Sequence, residues 1–320
     1  VLATPGLVLI PLPTTETLET LLSSTILLNL IALLRLSMIS FALDKSDFNI
    51  VNLESPIINY NKDFSRILKT GPNLSTNNKI IDHFNNLNIG LVTAANNHIL
   101  DYGQDGLNHT INELREKNIE FVGIGKNLDN AQKYVIKQFE KIKIAVVNFC
   151  ENEWSIAGEN SAGANPLNLI DNHNQIKSAK ENSDFVIVII HGGHEYYNLP
   201  SPRMVKQYRF FAECGADLIV GHHTHCISGY EIHKNVPIFY GLGNMIFTKS
   251  NKNKSWYYGL SLILNINKEK NITWEICPIK QSNIDFKTDL LFWKAIVLNC
   301  LYMYQQLTDL SIQTACSGLL

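Results

Sequence analysis

The sequence has little net charge of either sign. It contains 27 Lys and Arg against 29 Asp and Glu, which gives a formal net charge of −2, and only 18% of its residues are charged. Proteins that bind nucleic acid through its phosphates present a strongly basic face, and this balance gives no electrostatic reason to expect one. The composition therefore argues against nucleic acid as a partner.

Closely spaced cysteines are also missing. The chain has six cysteines, and no two of them form a C-x-x-C pair. Cysteine-rich zinc modules and redox motifs need such short spacings, so neither is expected. Disulfides are neither required nor excluded by this pattern, and no internal repeat is present.

The first 43 residues lack the features of an ordinary leader. Residues 1–34 contain no Lys or Arg, so the basic flank of a secretory signal is absent. Residues 21–43 are strongly apolar, but Arg35 interrupts them, at a cost of about 2.5–3.5 kcal/mol near the middle of a membrane helix. We interpret residues 1–43 as an atypical apolar segment, packed or poorly ordered. A membrane anchor and a truncated or aberrant start are the alternatives.

The opposite end contains a second apolar stretch, Leu290–Tyr304, which Lys294 interrupts. The uninterrupted part is too short to span a bilayer, so residues 283–320 are predicted to form an apolar helical tail that caps the core or lies at an interface. Residues 44–282 between the two ends form the main predicted domain.

Strand and helix patterns alternate along this domain. Apolar runs bounded by polar residues predict buried strands, and Asp184–Ile190 is the clearest of them. Helical spacing of apolar residues predicts helices over Leu107–Lys117 and Met204–Cys214. The other predicted strands are Asn49–Leu53, Ile89–Ala95, Ile119–Gly123, Ile142–Phe149, Asp217–Val220, Val236–Tyr240, Tyr258–Ile266 and Ile272–Ile279. This alternation predicts an α/β domain with antiparallel strands late in the chain.

Potential metal ligands follow four of the predicted strands. Glu54, Asn97 and His191 each come at or just after a strand end, and His223 and His225 follow a fourth strand. Taken singly, such residues are usually turn or structural residues. In open α/β sheets, however, ligands bind beyond the carboxyl ends of the strands, so these side chains are expected at one edge. Imidazole, carboxylate and amide groups together predict a site for a divalent metal.

Five segments, in their order, also resemble the motifs of a known family. They are DFNIVNLESPI, AANNHILDYGQDG, VIIHGGHEYYNLPS, CGADLIVGHHTH and IFYGLGNMIF. They resemble the bacterial capsule-synthesis, poly-γ-glutamate CapA-type family, which is similar to the calcineurin-like metallophosphoesterases. The resemblance implies an α/β four-layer αββα sandwich with a metal site, usually dinuclear, at one edge. It further implies a role in making or exporting an anionic cell-surface polymer.

The resemblance assigns roles to the strand-end residues. Glu54 corresponds to the carboxylate between two metals, while Asn97, His191 and His223 correspond to ligands of the second metal. His225 corresponds to a ligand of the first metal. The family's first strand ends in Gly-Asp, whose aspartate also binds the first metal, but this sequence has no aspartate before residue 44. We therefore predict one tightly held divalent ion (Mn, Zn or Fe), and two if the missing N-terminal ligand is supplied.

The resemblance also suggests an acid and a substrate pocket. His98 corresponds to the general acid that protonates a leaving oxygen, and Asp101 lies close enough in sequence to orient it. The residues expected to contact substrate are His194, Glu195, Tyr196 and Asn244. The structural alternative is a polar loop for the first three and a tight turn for Asn244.

Three functions remain open from the sequence. The first is a metal-dependent phosphoesterase acting on an anionic polymer or a phosphorylated small molecule, with membrane-bound polymer synthase subunits as partners. The second is a catalytically degenerate subunit that binds polymer or synthase, and the third is a metallophosphatase for nucleotides or phosphoproteins. The resemblance implies a membrane-associated, outward-facing place in the cell envelope, with a soluble cytoplasmic protein as the alternative.

Overall fold

The computed structural model of the protein describes residues 6–12, 46–267, 269, 271–284 and 288–290. In chain order the strands are β1 (Gly6–Leu12), β2 (Phe48–Leu53), β3 (Ile57–Ile58), β4 (Thr76–Asn77), β5 (Ile89–Thr93), β6 (Glu120–Val122), β7 (Ile124–Gly125), β8 (Val135–Phe139), β9 (Ile142–Cys150), β10 (Gly163–Ala164), β11 (Phe185–His191), β12 (Leu218–His222), β13 (Tyr230–His233), β14 (Val236–Phe239), β15 (Tyr258–Ile266), β16 (Ile272–Gln281) and β17 (Thr288–Leu290). The helices are α1 (Ile80–Asn86), α2 (Gly103–Glu116), α3 (Leu128–Ala131), α4 (Leu169–Asn182), α5 (Pro202–Glu213) and a 3₁₀ helix, Lys254–Tyr257.

Most of the strands belong to two large sheets. The seven-stranded sheet has the order β17-β16-β15-β1-β2-β5-β6, and the six-stranded sheet has the order β13-β14-β12-β11-β9-β8. Strands β1, β2, β5 and β6 are parallel to one another, as are β9, β11, β12 and β14. Antiparallel strands complete each sheet. The parallel strands therefore bring their carboxyl ends to one edge of each sheet.

Alternating side chains divide the core into three apolar layers. In β11, Ile187 and Ile189 pack between the two sheets, whereas Val188 and Ile190 pack against α4 and α5. Helices α1 and α2 cover the outer face of the seven-stranded sheet. A strand buried on both faces needs a continuous apolar run, which explains the FVIVII sequence of β11. The result is a four-layer αββα sandwich, so the predicted fold class is confirmed.

The position of the most N-terminal strand differs from the prediction. No strand of the domain was predicted within residues 1–43, yet β1 lies inside the seven-stranded sheet, between β15 and β2. Its last residue, Leu12, is aligned with Leu53, immediately before Glu54. The rest of the apolar segment, residues 13–43, lies outside the described residues.

The predicted helical tail also differs where it is described. Thr288–Leu290 form a strand that pairs with β16, rather than part of a helix. Residues 291–320 lie outside the described part of the chain. Among the described helices, none combines the length and apolar character needed to cross a lipid bilayer.

Candidate metal centre

The five predicted metal ligands meet at one edge of the sandwich. Glu54 follows β2, Asn97 follows β5, His191 ends β11, and His223 and His225 follow β12. All five are buried. Because β2 and β5 belong to one sheet and β11 and β12 to the other, the two sheets each contribute part of the cluster. The juxtaposition predicted from the strand ends is therefore present in the structure, and the role of these residues as ligands stays a prediction.

His191 lies at the centre of the cluster. Its Nε2 is 3.1 Å from Asn97 Oδ1, 3.2 Å from His223 Nδ1 and 3.7 Å from Glu54 Oε1. A ring nitrogen carries at most one proton, so it can satisfy only one of these three neighbours. One ligand atom from each of Glu54, His191 and His223 lies within 4.8 Å of the others. Such convergence of electron-pair donors is the arrangement that a cation stabilises.

Glu54 carries the main charge of the cluster. Its buried Oε1 has no hydrogen-bond partner among the described residues, and His225 Nε2 lies 3.3 Å away. Burial alone would raise the pKa of Glu54, but the His225 and His191 imidazoles hold the pKa below its usual range. Burial alone would lower the pKa of His225, and the Glu54 carboxylate raises it to about 9. Without metal, Glu54 and His225 therefore form a carboxylate–imidazolium pair.

His191 has the opposite protonation. Its burial holds the pKa of its imidazole well below the usual range, so the ring is neutral and keeps a lone pair. A neutral imidazole, an amide oxygen and an ionised carboxylate are suitable donors for a divalent cation. The residues present therefore fit a metal at this position.

The segment after β12 adopts a conformation that the sequence did not predict. Strand β12 ends at His222, so the extended backbone does not continue through His223 and His225. His223 and His225 instead have positive φ angles of 89° and 51°. Non-glycine residues in this region are strained and cluster at functional sites. The turn places His223 beside His191 and His225 beside Glu54.

His98 and Asp101 form a second buried group next to the ligands. His98 Nδ1 lies 2.7 Å from Asp101 Oδ2, which also accepts a hydrogen bond of 2.6 Å from the Leu74 N–H. Lys69 was not predicted from the sequence, yet its side chain is only 1% exposed and forms an ion pair with Asp101 Oδ1. Its Nζ lies 3.0 Å from His98 Nδ1. No pattern in the sequence points to Lys69, because it lies in a polar loop without a regular repeat.

The two asparagines of the AANNH segment, Asn96 and Asn97, make different contacts. Asn96 donates to the Leu53 carbonyl at 2.7 Å and accepts from the His98 N–H at 2.9 Å, so it ties the ends of β2 and β5 together. Asn97 instead directs its Oδ1 at His191. Asn96 is therefore the turn residue of the pair, and Asn97 is the one that faces the cluster.

The residues predicted to contact substrate lie in two different places. Asn244 is buried, and its Oδ1 lies 2.9 Å from His225 Nδ1, so it supports a predicted ligand rather than an open pocket. His194, Glu195 and Tyr196 are exposed at the rim. The Tyr196 ring centroid is 6.3 Å from that of His225. Sequence reasoning missed Glu153, whose Oε1 lies 3.6 Å from His223 Nε2.

The four-layer fold is shared with solved structures of other proteins. A phosphatase from Mycoplasma pneumoniae aligns with a TM-score of 0.55 at 14% sequence identity, covering 89% of this chain and 97% of that one. At this identity the likeness concerns the fold alone.

The sequence comparisons identify the family. The chain belongs to the family described as bacterial capsule synthesis protein PGA_cap, whose model matches residues 36–249. It is 33% identical over 205 residues to the PGA biosynthesis protein CapA of Bacillus subtilis, covering 63% of this chain and 53% of the relative. It is 31% identical over 211 residues to the capsule biosynthesis protein CapA of Bacillus anthracis, covering 64% and 51%. The chain thus spans about half the length of these curated relatives.

Proposed function

We propose that the protein is a metal-dependent phosphoesterase-like protein that acts in the biosynthesis or export of poly-γ-glutamate or a similar anionic capsule polymer. The observation that carries this proposal is the convergence of Glu54, Asn97, His191 and His223 on one buried point. Membership of the capsule synthesis family and the names of the two Bacillus relatives support the place in polymer synthesis. The expected substrate is the polymer or a phosphorylated small molecule.

Four residues would hold the metal: Glu54 through a carboxylate oxygen, Asn97 through its amide oxygen, and His191 and His223 through ring nitrogens. When bound, a divalent ion supplies a Lewis acid that polarises a phosphoryl oxygen. Mn, Zn and Fe are the candidates, because the donor set mixes imidazole with oxygen ligands. His225 would release its proton before serving as a further ligand, since the Glu54 carboxylate raises its pKa to about 9.

His98 is the proposed general acid. As an imidazolium, His98 can donate its Nδ1–H to Asp101 and give its second proton, on Nε2, to a leaving oxygen. Asp101 is itself fixed by Lys69 and the Leu74 N–H, so the orientation of the imidazole is set by buried partners on two sides. Tyr196, Glu195 and His194 at the rim are proposed to contact the substrate.

The second metal position has fewer ligands. Strand β1 ends at Leu12, aligned with Leu53, and the residues that follow Leu12 in the sequence are Pro13, Thr14 and Thr15. None has a carboxylate or an imidazole. We therefore expect one tightly held ion and a weak second position that would use Glu54 and His225. A catalytically degenerate subunit that binds the polymer or its synthase is the alternative that the hydrolysis assay below tests.

Metal analysis tests the proposed ligands. Purified wild-type protein is expected to keep about one equivalent of Mn, Zn or Fe after chelator treatment, and His191→Ala is expected to lose it. His233→Ala is the matched control, because His233 lies on β13 and contacts Glu213 instead of the cluster. Two stoichiometric ions that resist chelation would contradict the single-site proposal, and so would retention of the metal by His191→Ala.

Phosphoester hydrolysis tests the chemistry separately. With Mn²⁺ or Zn²⁺ and generic phosphomonoester and phosphodiester substrates, His98→Ala is expected to lower the rate by roughly 10²–10⁴-fold, the usual contribution of a general acid. Equal and negligible rates in wild type and His98→Ala would support the degenerate binding subunit.

We propose that the protein acts at the cell envelope, associated with membrane-bound synthase subunits. Fractionation of cells that express it tests this location.

A further inference from the structure

A basic cavity lies at the side of the sandwich, apart from the metal cluster. Its volume is about 250 Å³, and its floor contains the apolar residues Phe121, Val122 and Ile124. This volume is slightly below the range of about 300–1,000 Å³ typical of ligand pockets. The cavity therefore suits a segment of a longer ligand, with the remainder outside.

Three cations surround this floor, and no carboxylate is among the residues that line the cavity. Arg115, Lys126 and Lys133 are exposed, and none forms an ion pair with a carboxylate in the described part of the chain. The nearby Glu120 is already paired with Lys137 at 2.8 Å. The Arg115 guanidinium lies 5.5 Å from the centroid of the Phe121 ring, which holds it beside the floor. With a net charge of −2 for the whole chain, this concentration of unpaired positive charge is local.

The cavity opens at the lateral edge of both sheets. Strand β6, which ends at Val122, is the edge strand of the seven-stranded sheet, and Val135 begins β8, the edge strand of the other sheet. Gly123, directly after β6, packs against Ala95 and Asn148. Ala95 lies two residues before Asn97, so a chain in the cavity lies on the β6 side of the metal cluster.

We propose that this cavity binds a segment of a carboxylate polymer, with a γ-linked glutamate chain as the occupant. This inference rests on the proposed function, because it names the partner of the same domain. Each γ-linked residue has one carboxylate and consecutive methylene groups. The carboxylates match the rim of Arg115, Lys126 and Lys133, and the methylene groups match the apolar floor.

Binding of a fluorescein-labelled γ-linked glutamate oligomer, followed by anisotropy at low salt, tests the inference. The measurement uses the full chain with EDTA present, so that its result does not depend on the metal site. Lys126→Gln/Lys133→Gln is expected to bind about tenfold more weakly than wild type, because two exposed ion pairs of modest strength are lost. The matched control, Lys177→Gln/Lys206→Gln, removes the same charge from α4 and α5 and is expected to bind like wild type.

Competition identifies the ligand class. Unlabelled γ-linked glutamate oligomer is expected to displace the probe, and neutral polyglutamine is expected to leave it bound. Equal binding by the two lysine double variants would overturn the inference, as would equal or better displacement by single-stranded DNA or by anionic phospholipid vesicles. If the protein binds the polymer but does not hydrolyse phosphoesters, only the enzyme proposal is refuted. If it hydrolyses phosphoesters but Lys126→Gln/Lys133→Gln binds the oligomer like wild type, only the proposed role of the cavity is refuted.

Discussion

Replacing the buried Lys69 by methionine tests whether its ion pair holds the acid group together. Methionine keeps most of the side-chain volume but removes the ammonium that neutralises Asp101. Breaking a buried pair by removing one partner costs about 3–5 kcal/mol, because the other charge stays buried. Asp101 keeps two partners, His98 Nδ1 at 2.7 Å and the Leu74 N–H at 2.6 Å, so we expect the lower value of about 3 kcal/mol.

Urea unfolding gives the free energy directly, and the melting temperature is expected to fall by about 6–12 °C for a loss of this size. The control is the double variant Lys69→Met/Asp101→Asn. If the two side chains stabilise each other, the double variant loses no more than about 1 kcal/mol beyond either single variant. A loss below about 1 kcal/mol for Lys69→Met, or strictly additive losses in the double variant, would refute the assignment of this pair.

Three further changes test other parts of the fold. Glu231 accepts hydrogen bonds from Arg209 at 2.9 and 2.5 Å; burial would raise its pKa, but these bonds lower it below the ordinary 4.5. The pair therefore stabilises the folded protein fully above pH 4.5, and this stabilisation is lost as the pH falls through the pKa of Glu231 in the folded state. Glu231→Gln is expected to lower the free energy of unfolding by about 1–2 kcal/mol at pH 7 and by less at pH 3. A pH-independent cost in thermal melts would contradict this. Gly123 has φ +89°, and a Cβ at this position would lie 2.3 Å from Asn148 Oδ1. Gly123→Ala is therefore expected to lower the free energy of unfolding in urea by about 3 kcal/mol or more. A loss under about 1 kcal/mol would be inconsistent with this packing. The buried Tyr208 hydroxyl has no hydrogen-bond partner among the described residues. Tyr208→Phe is therefore expected to leave the free energy of unfolding unchanged or to raise it by about 1 kcal/mol. A clear decrease in stability in the same urea assay would show that the hydroxyl has a partner.

The sequence predicted the elements that are apolar on both faces. Strands β9, β11 and β12 stand out because their side chains pack against a helix layer on one side and another sheet on the other. Their ends could be placed within one or two residues, and the polar residues after them were therefore predicted to meet. The gathering of Glu54, Asn97 and His191 follows from this simple geometry of parallel strands.

Other features depend on contacts that the sequence does not display. Helix α4, Leu169–Asn182, buries only a narrow face that includes the polar Asn172 and Gln175, so it has no clear apolar stripe. Lys69 is buried by a loop whose position depends on hydrogen bonds to Asp101, and a lysine in a polar loop is ordinarily exposed. The left-handed turn at His223 and His225 likewise depends on tertiary contacts, because local propensity disfavours it.

The position of β1 has a consequence for the order in which the protein folds. Leu9 pairs with Ile50 on one side and with Leu262 on the other, so the seven-stranded sheet joins the two ends of the described chain. The six-stranded sheet instead uses only residues between Val135 and Phe239. Contacts between distant residues form slowly because a long loop must close first. During synthesis, the six-stranded sheet can assemble before β15 is available to pair with β1. In refolding, pulse-labelled hydrogen exchange should therefore show protection of the amides of the six-stranded sheet before those of the seven-stranded sheet.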